Sequence, residues 1–295
     1  MNLIRRVLRR QPAGPPTWPT GLVEVADGAF AYVQEGGGLC VSNAGLIVGP
    51  ESCIVIDALF APSMTLTFRD EIARVTSKPV RLLINTHHHV DHTMGNALFP
   101  EAQIVSHANA RREQERVGKG ILDVLRPRLP ELVAETDDLS LRLPDVTFDE
   151  ELNVHLATRA IRLVHLGPAH TIGDILVVLP DERIAFAGDV AFHYVTPLGI
   201  EGHIGGWLNV CDQIEGMNID MIVPGHGPVG NKQHLREMRG YLDTIRRQAR
   251  EAFDSGRSQE EATQAIDLGA YASWTEPERL ALNVGRLYQE FRGEI

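Results

Sequence analysis

Between Asn85 and His92 the chain reads Asn-Thr-His-His-His-Val-Asp-His, four imidazoles and one carboxylate within eight residues. Imidazole nitrogen and carboxylate oxygen suit zinc or another borderline divalent cation. Imidazoles this crowded repel one another once protonated, so a metal ion or hydrogen bonds must hold them neutral. The apolar run Leu82, Leu83, Ile84 comes first, so the cluster sits where a buried strand gives way to a loop. A solvated His-rich tract is the bland reading. Against it stand three more candidate ligands at later strand ends: His170 in Gly-Pro-Ala-His-Thr-Ile-Gly-Asp, Asp189 in Phe-Ala-Gly-Asp and His226 in Pro-Gly-His-Gly.

Together His87, His89, Asp91, His92, His170, Asp189 and His226 follow the order His-x-His-x-Asp-His, then His, Asp and His, and the stretch from Val23 to Gly230 resembles the metallo-β-lactamase superfamily. The resemblance implies an α/β fold, the αββα four-layer sandwich, made of two β-α halves with metals at one edge. It implies a first site at His87, His89 and His170, a second at Asp91, His92 and His226, and Asp189 bridging the two. Two zinc ions are expected, with iron or manganese as alternatives. A bridging hydroxide would then attack an activated carbonyl. Such a site lowers the pKa of water from about 15.7 to about 7, and ions about 3.5 to 4 Å apart also polarise the carbonyl and hold the leaving group. Asp91 would orient the hydroxide and shuttle its proton.

The expected substrate is a small molecule: a thioester, a lactone, or a related ester or amide. Lactam cleavage ranks behind these, because classical β-lactamases generally lack the bridging aspartate. An iron-dependent oxygenase or other redox enzyme, and a non-catalytic binding protein, are the competing classes.

Other residues carry weaker signals. His193 and Tyr194 follow Asp189 closely and are candidate catalytic residues facing the pocket, Tyr194 as a hydrogen-bond donor to a substrate oxyanion. Trp207 reads equally as pocket wall and as packing. His88, between two ligands, points away from them if the chain is extended there. Asp57, ending the apolar run Ile54, Val55, Ile56, needs a partner and could orient a metal-bound histidine. Thr171 and Asp174 suit a turn that satisfies the loop around His170. His107, His155, His165, His203 and His234 match no ligand pattern.

The 295 residues, 43% apolar, suffice for a substantial core. A formal charge of -11 argues against a nucleic-acid surface. Cys40, Cys53 and Cys211 are few and widely spaced, which suits reduced buried thiols. The organisation expected is a basic, Pro-rich arm over 1–20, a catalytic domain over 21–230, and C-terminal helices over 231–295 packed on that domain, with a homodimer left open. The arm, with Arg5, Arg6, Arg9 and Arg10 ahead of Pro12, Pro15 and Pro16, lacks the uninterrupted apolar segment of a secretory signal. A cytoplasmic protein without stable membrane insertion is expected.

Between these landmarks the pattern is strand, turn, strand: a hairpin over Val23 to Val33 turning at Gly36 to Gly38, then strands over Leu39 to Val48 and Ser52 to Leu59. Ser63 is expected to cap a helix burying Leu66, Ile72, Ala73 and Val75. Residues Ile121 to Leu139, interrupted by Pro127 and Pro130, read as two short helices forming a wall of the pocket. Further strands are expected over Asn153 to Leu156, Ala160 to Leu166, Ile175 to Leu179, Ile184 to Ala187 and Met221 to Val223, with a helix from Trp207 to Glu215 and helices over Gln233 to Gly256 and Gln259 to Arg292.

Overall fold

Strands that are apolar at every position need cover on both faces. Here the alternation of side chains along each strand sends successive residues into different cores. The computed structural model describes residues 17–295, so most of the expected arm lies outside the described residues. Strands β1 (Gly21–Ala26), β2 (Ala29–Val33), β3 (Ala44–Val48), β4 (Cys53–Ile56), β5 (Val80–Ile84), β6 (Gln103–His107) and β7 (Val146–Phe148) form one sheet in chain order. A second sheet holds β8 (Glu151–Leu156), β9 (Arg159–Val164), β10 (Leu176–Leu179), β11 (Ile184–Phe192) and β12 (Met221–His226), also in chain order. Pairing is antiparallel except from β4 to β7 and between β11 and β12.

In β4, Ile54 and Ile56 join the core between the sheets while Cys53 and Val55 pack outward; in β10, Val177 and Leu179 face inward while Leu176 and Val178 face out. The outer core of the first sheet is closed by Phe68 and Ile72 of helix α1 (Pro62–Val75). Helices α2 (Val90–Thr93), α3 (Ala108–Val117), α4 (Ile121–Leu125) and α5 (Pro130–Glu135) follow β5 in the chain. The second sheet is covered by α6 (Ile204–Gly216), α7 (Lys232–Asp254), α8 (Gln259–Ala265) and α9 (Arg279–Arg292), through Trp207, Tyr241, Leu242, Ala262, Val284 and Leu287 among others. The result is the αββα sandwich. Each fully buried Leu, Ile or Phe stabilises this arrangement by about 1.5–3 kcal/mol. Close approach of the sheets depends on Gly45, where a Cβ would lie 2.6 Å from the Phe186 ring.

Local expectations fail where competing bonds decide. The first hairpin turns at Asp27 and Gly28, Gly28 having φ +64°, and residues Gly36 to Gly38 instead belong to a connection that reaches the metal-ligand edge. Helix α1 is capped at Ala61 with Pro62 in its first turn, because Ser63 donates through N and Oγ to the Glu135 carboxylate at 2.8 and 2.9 Å. Its buried side is Thr65, Phe68 and Ile72, leaving Leu66 and Val75 exposed. Strand β7, short and largely exposed, has no sequence signal, and the two short helices after Gly120 form as the prolines require.

Candidate metal centre

The parallel strand β5 ends at Ile84, and everything after it is pinned. Asn85 and Asn96 exchange amide hydrogen bonds at 3.0 and 2.9 Å, which closes the loop into α2. Gly95 packs so tightly on this closure that a Cβ would sit 2.0 Å from the Ala58 carbonyl oxygen. From the second sheet, the Ile175 N–H donates to the Thr86 carbonyl at 2.9 Å, and the Asn43 side chain donates to the Pro224 and Gly227 carbonyls at 2.9 and 2.7 Å. The two sheets are therefore stitched together beside the histidines. His170 stands on a turn in which Thr171 donates through N and Oγ1 to the Asp174 carboxylate at 2.8 and 2.6 Å. Asp189 lies inside β11, and His226 is the last residue of β12.

This stitching gathers the seven sequence-predicted ligands around one carboxylate. Asp189 Oδ1 lies 3.1 Å from His92 Nε2. Asp189 Oδ2 lies 3.3, 3.4 and 4.0 Å from Nε2 of His170, His226 and His87. Asp91 Oδ2 is 3.3 Å from His226 Nε2, and His89 Nδ1 is 2.8 Å from His170 Nε2. Among the described residues three clusters have metal-ligand spacing: His87, His89, His170 and Asp189; Asp91, His92 and His226; and, beside the first, His88, His89 and Glu201.

Apart from His170, whose Nδ1 is buried without a hydrogen-bond partner, the ligand rings are tied to the protein through their outer nitrogens. His92 Nδ1 is 2.8 Å from Asp57 Oδ2; His87 Nδ1 is 3.1 Å from Thr86 Oγ1, which donates to the same Asp57 oxygen at 2.7 Å. His226 Nδ1 is 3.1 Å from the Gly37 carbonyl. A ring that donates through Nδ1 presents a lone pair at Nε2. Nε2 of His87 and of His92, with Asp189 Oδ1, are buried and without a hydrogen-bond partner. Buried polar atoms are rarely left unpaired, so this donor set fits divalent cations.

The electrostatics agree. Burial pushes the His87 imidazole well below its ordinary pKa, and His170 down to about 3. Burial also opposes charge on His92 and His226, yet the Asp189 carboxylate foremost lifts His92 well above the ordinary value and His226 to about 8. The neighbouring imidazoles hold Asp189 well below the carboxylate range despite burial.

The remaining sequence candidates fall elsewhere. His193 is buried but turned away from the cluster, with Nδ1 2.8 Å from the Pro228 carbonyl and its ring 5.0 Å from that of His234. Tyr194, at φ +60°, packs beside His234 at 5.5 Å. Its neighbour His193 donates through the backbone to the His226 carbonyl at 3.1 Å, while the Tyr194 ring lies against α7. Trp207 is fully buried, donates to the Val190 carbonyl at 2.9 Å and backs the His170 ring at 5.5 Å. His88 is buried at a bend in the backbone and stands outside both clusters of predicted ligands. Its Nε2 meets Glu201 Oε2 at 2.9 Å, and the same oxygen lies 2.9 Å from His89 Nε2. Sequence reasoning missed Glu201, which stands in an irregular connection with no motif around it.

Comparison with known proteins points the same way. The family model described as the Metallo-beta-lactamase superfamily matches residues 37–226. The alpha subunit of a 2,4-dinitroanisole O-demethylase from Nocardioides sp. is 26% identical over 189 residues, 61% of this chain and 51% of the subunit. A probable metallo-hydrolase of Methanocaldococcus jannaschii is 27% identical over 201 residues, 65% of this chain and 90% of that protein. The solved structure of a stereoselective inverting sec-alkylsulfatase from Pseudomonas sp. superposes with a TM-score of 0.70 at 14% identity, covering 94% of this chain and 51% of the sulfatase. The chain thus spans about half the length of the demethylase subunit and of the sulfatase. With its family model matched across the ligand loops, the chain belongs to the metallo-beta-lactamase superfamily.

Proposed function

We propose that this protein is a dinuclear zinc hydrolase acting on an activated carbonyl of a small molecule, with thioesters and lactones as the leading substrates. The observation that carries the reading is the pair of buried, unpartnered Nε2 atoms of His87 and His92, aimed with His170 and His226 at the Asp189 carboxylate. His87, His89 and His170 would hold one ion and Asp91, His92 and His226 the other, with Asp189 shared. Bound there, the ions would supply a water of lowered pKa and an electrophile for the substrate oxygen. Asp57 fixes the ring proton of His92 on Nδ1 and, through Thr86, that of His87. Asp91, 13% exposed against 4% for Asp189, is the acid open to solvent and takes the proton of the attacking water at its carboxylate. Helices α4 and α5 pack through Leu122 and Val133 against Phe60 and Met94, next to the signature loop, and would form one side of the substrate entrance. The buried, unpaired Cys40, Cys53 and Cys211 suit a reducing cytoplasm.

Elemental analysis of protein dialysed against zinc, run beside a turnover screen, tests this reading. Two zinc ions per chain and zinc-dependent hydrolysis of a thioester or lactone are expected. The screen includes alkyl sulfates and dinitroanisole, because proteins of those activities are among the relatives and fold neighbours. One iron per chain with oxygen consumption would replace the hydrolase with an oxygenase, and a wild-type chain that retains no divalent ion would reject both.

A further inference from the structure

The connection from Thr196 to Gly205 has no regular structure before α6 begins, yet it is held along almost its whole length by one face of the C-terminal helix α9. Arg279 donates to the Thr196 carbonyl at 2.9 Å. Asn283 donates to the Pro197 carbonyl at 2.8 Å and accepts from the Gly199 N–H at 2.7 Å. Arg286 donates to the carbonyls of Gly202 at 2.6 Å and Glu201 at 3.1 Å. Glu290 accepts from the N–H groups of Ile204 and Gly205. Spacings of four, three and four place these side chains in a single row on the helix, and Arg279 and Asn283 are buried, so the row is an interior contact. The other side of the connection is pressed onto the His170 turn. The His203 N–H donates to the Ala169 carbonyl at 2.9 Å, and a Cβ at Gly202 would stand 2.7 Å from that oxygen.

The side chain delivered by this clamped connection is Glu201, whose Oε2 meets Nε2 of both His88 and His89 at 2.9 Å. His89 differs from the other imidazoles of its cluster in turning Nδ1 inward, to 2.8 Å from His170 Nε2. A proton fixed on the outer nitrogen is what leaves the inner one a lone pair.

We propose that Glu201 is a positioning residue for the His87, His89 and His170 subsite, orienting His89 through its outer nitrogen, and that the Arg279, Asn283, Arg286 and Glu290 face of α9 holds Glu201 in place. The C-terminal helix, outside the matched family region that ends at His226, is then part of the metal centre. This rests on the dinuclear reading above. Asp57 supports His92 directly and His87 through Thr86, whereas Glu201 supports His89.

The test is metal affinity, measured by competition with a chromophoric chelator and by cobalt(II) absorption, on the wild type and on Glu201→Ala, Glu201→Gln and Arg286→Ala. Glu201→Ala is expected to bind one of the two ions about 10- to 100-fold more weakly, the usual cost of losing a carboxylate behind a metal-bound histidine, while the other ion keeps its affinity. Glu201→Gln retains an oxygen that accepts from both rings and should recover most of the loss. Arg286→Ala, remote from the ligands, should weaken the same ion to a smaller degree. If Glu201→Ala does not fold, Arg286→Ala decides the matter. Unchanged affinity for both ions in the folded variants overturns the proposal, as does a third ion bound by the wild type at His88, His89 and Glu201 and lost with Glu201. A wild type that binds no ion at all rejects the hydrolase reading instead, and the proposal with it.

Discussion

Replacing Asp57 with asparagine separates stability from metal binding. Asp57 is 2% exposed and accepts from Thr86 N at 2.8 Å on Oδ1, and from Thr86 Oγ1 at 2.7 Å and His92 Nδ1 at 2.8 Å on Oδ2. An amide in one orientation sets its NH2 against the Thr86 N–H, two buried donors face to face, at a cost of about 1–3 kcal/mol. In the other orientation the NH2 faces both His92 Nδ1 and Thr86 Oγ1, so His92 must accept at Nδ1 and move its proton to Nε2, and Thr86 must turn its hydroxyl proton away. In the metal-free protein that tautomer is accommodated, because Nε2 lies 3.1 Å from Asp189 Oδ1. It is also the tautomer that cannot ligate.

Asp57→Asn should therefore keep its metal-free urea midpoint close to wild type while losing about 10- to 100-fold in affinity for the ion at His92, equivalent to roughly 1.4–2.8 kcal/mol at about 1.4 kcal/mol per tenfold, with a smaller loss at the His87 subsite through Thr86. Urea unfolding of the chelated protein and chelator competition measure the two quantities. A variant with wild-type affinity and wild-type stability would refute the claim that Asp57 fixes the His92 ring. A midpoint lowered by the full donor clash, with affinity intact, would refute the choice of tautomer.

Two further substitutions probe the geometry. Gly225→Ala places a Cβ 1.9 Å from Asp189 Oδ1; overpacking of this kind costs about 1–3 kcal/mol, and it should displace the shared carboxylate, so reduced metal content and a lower melting temperature are expected, and wild-type values for both would contradict the packing described. Tyr194→Phe removes a hydroxyl remote from the ligand cluster and should leave turnover within about twofold, in line with the ±0.5 kcal/mol of substitutions away from special features. A loss well beyond that would restore Tyr194 to the catalytic set.

Much of this site is legible in the sequence because its donors are rare residue types crowded at strand ends. His87, His89, Asp91 and His92 declare themselves within one loop, and the runs before His170, Asp189 and His226 are apolar enough to mark strands. Asp57 is legible for the same reason, as a charge ending a buried run. Glu201 is not, because acids in irregular connections are common and nothing in Leu198-Gly199-Ile200 sets it apart. Nor is the role of α9: Arg279, Asn283, Arg286 and Glu290 form a polar stripe that reads as solvated until the connection from Thr196 to Gly205 is seen lying on it.

The donors are divided between the two sheets. Four stand on the loop after β5, and the other three on or just after strands of the second sheet. A growing polypeptide that has completed only the amino-terminal half owns fragments of both subsites and the whole of neither. Tight capture of cations has to wait until His226 has been synthesised and the halves have docked. On the dinuclear reading proposed above, metal would arrive as a latch on a finished scaffold, and its retention would report that the two halves have met in register.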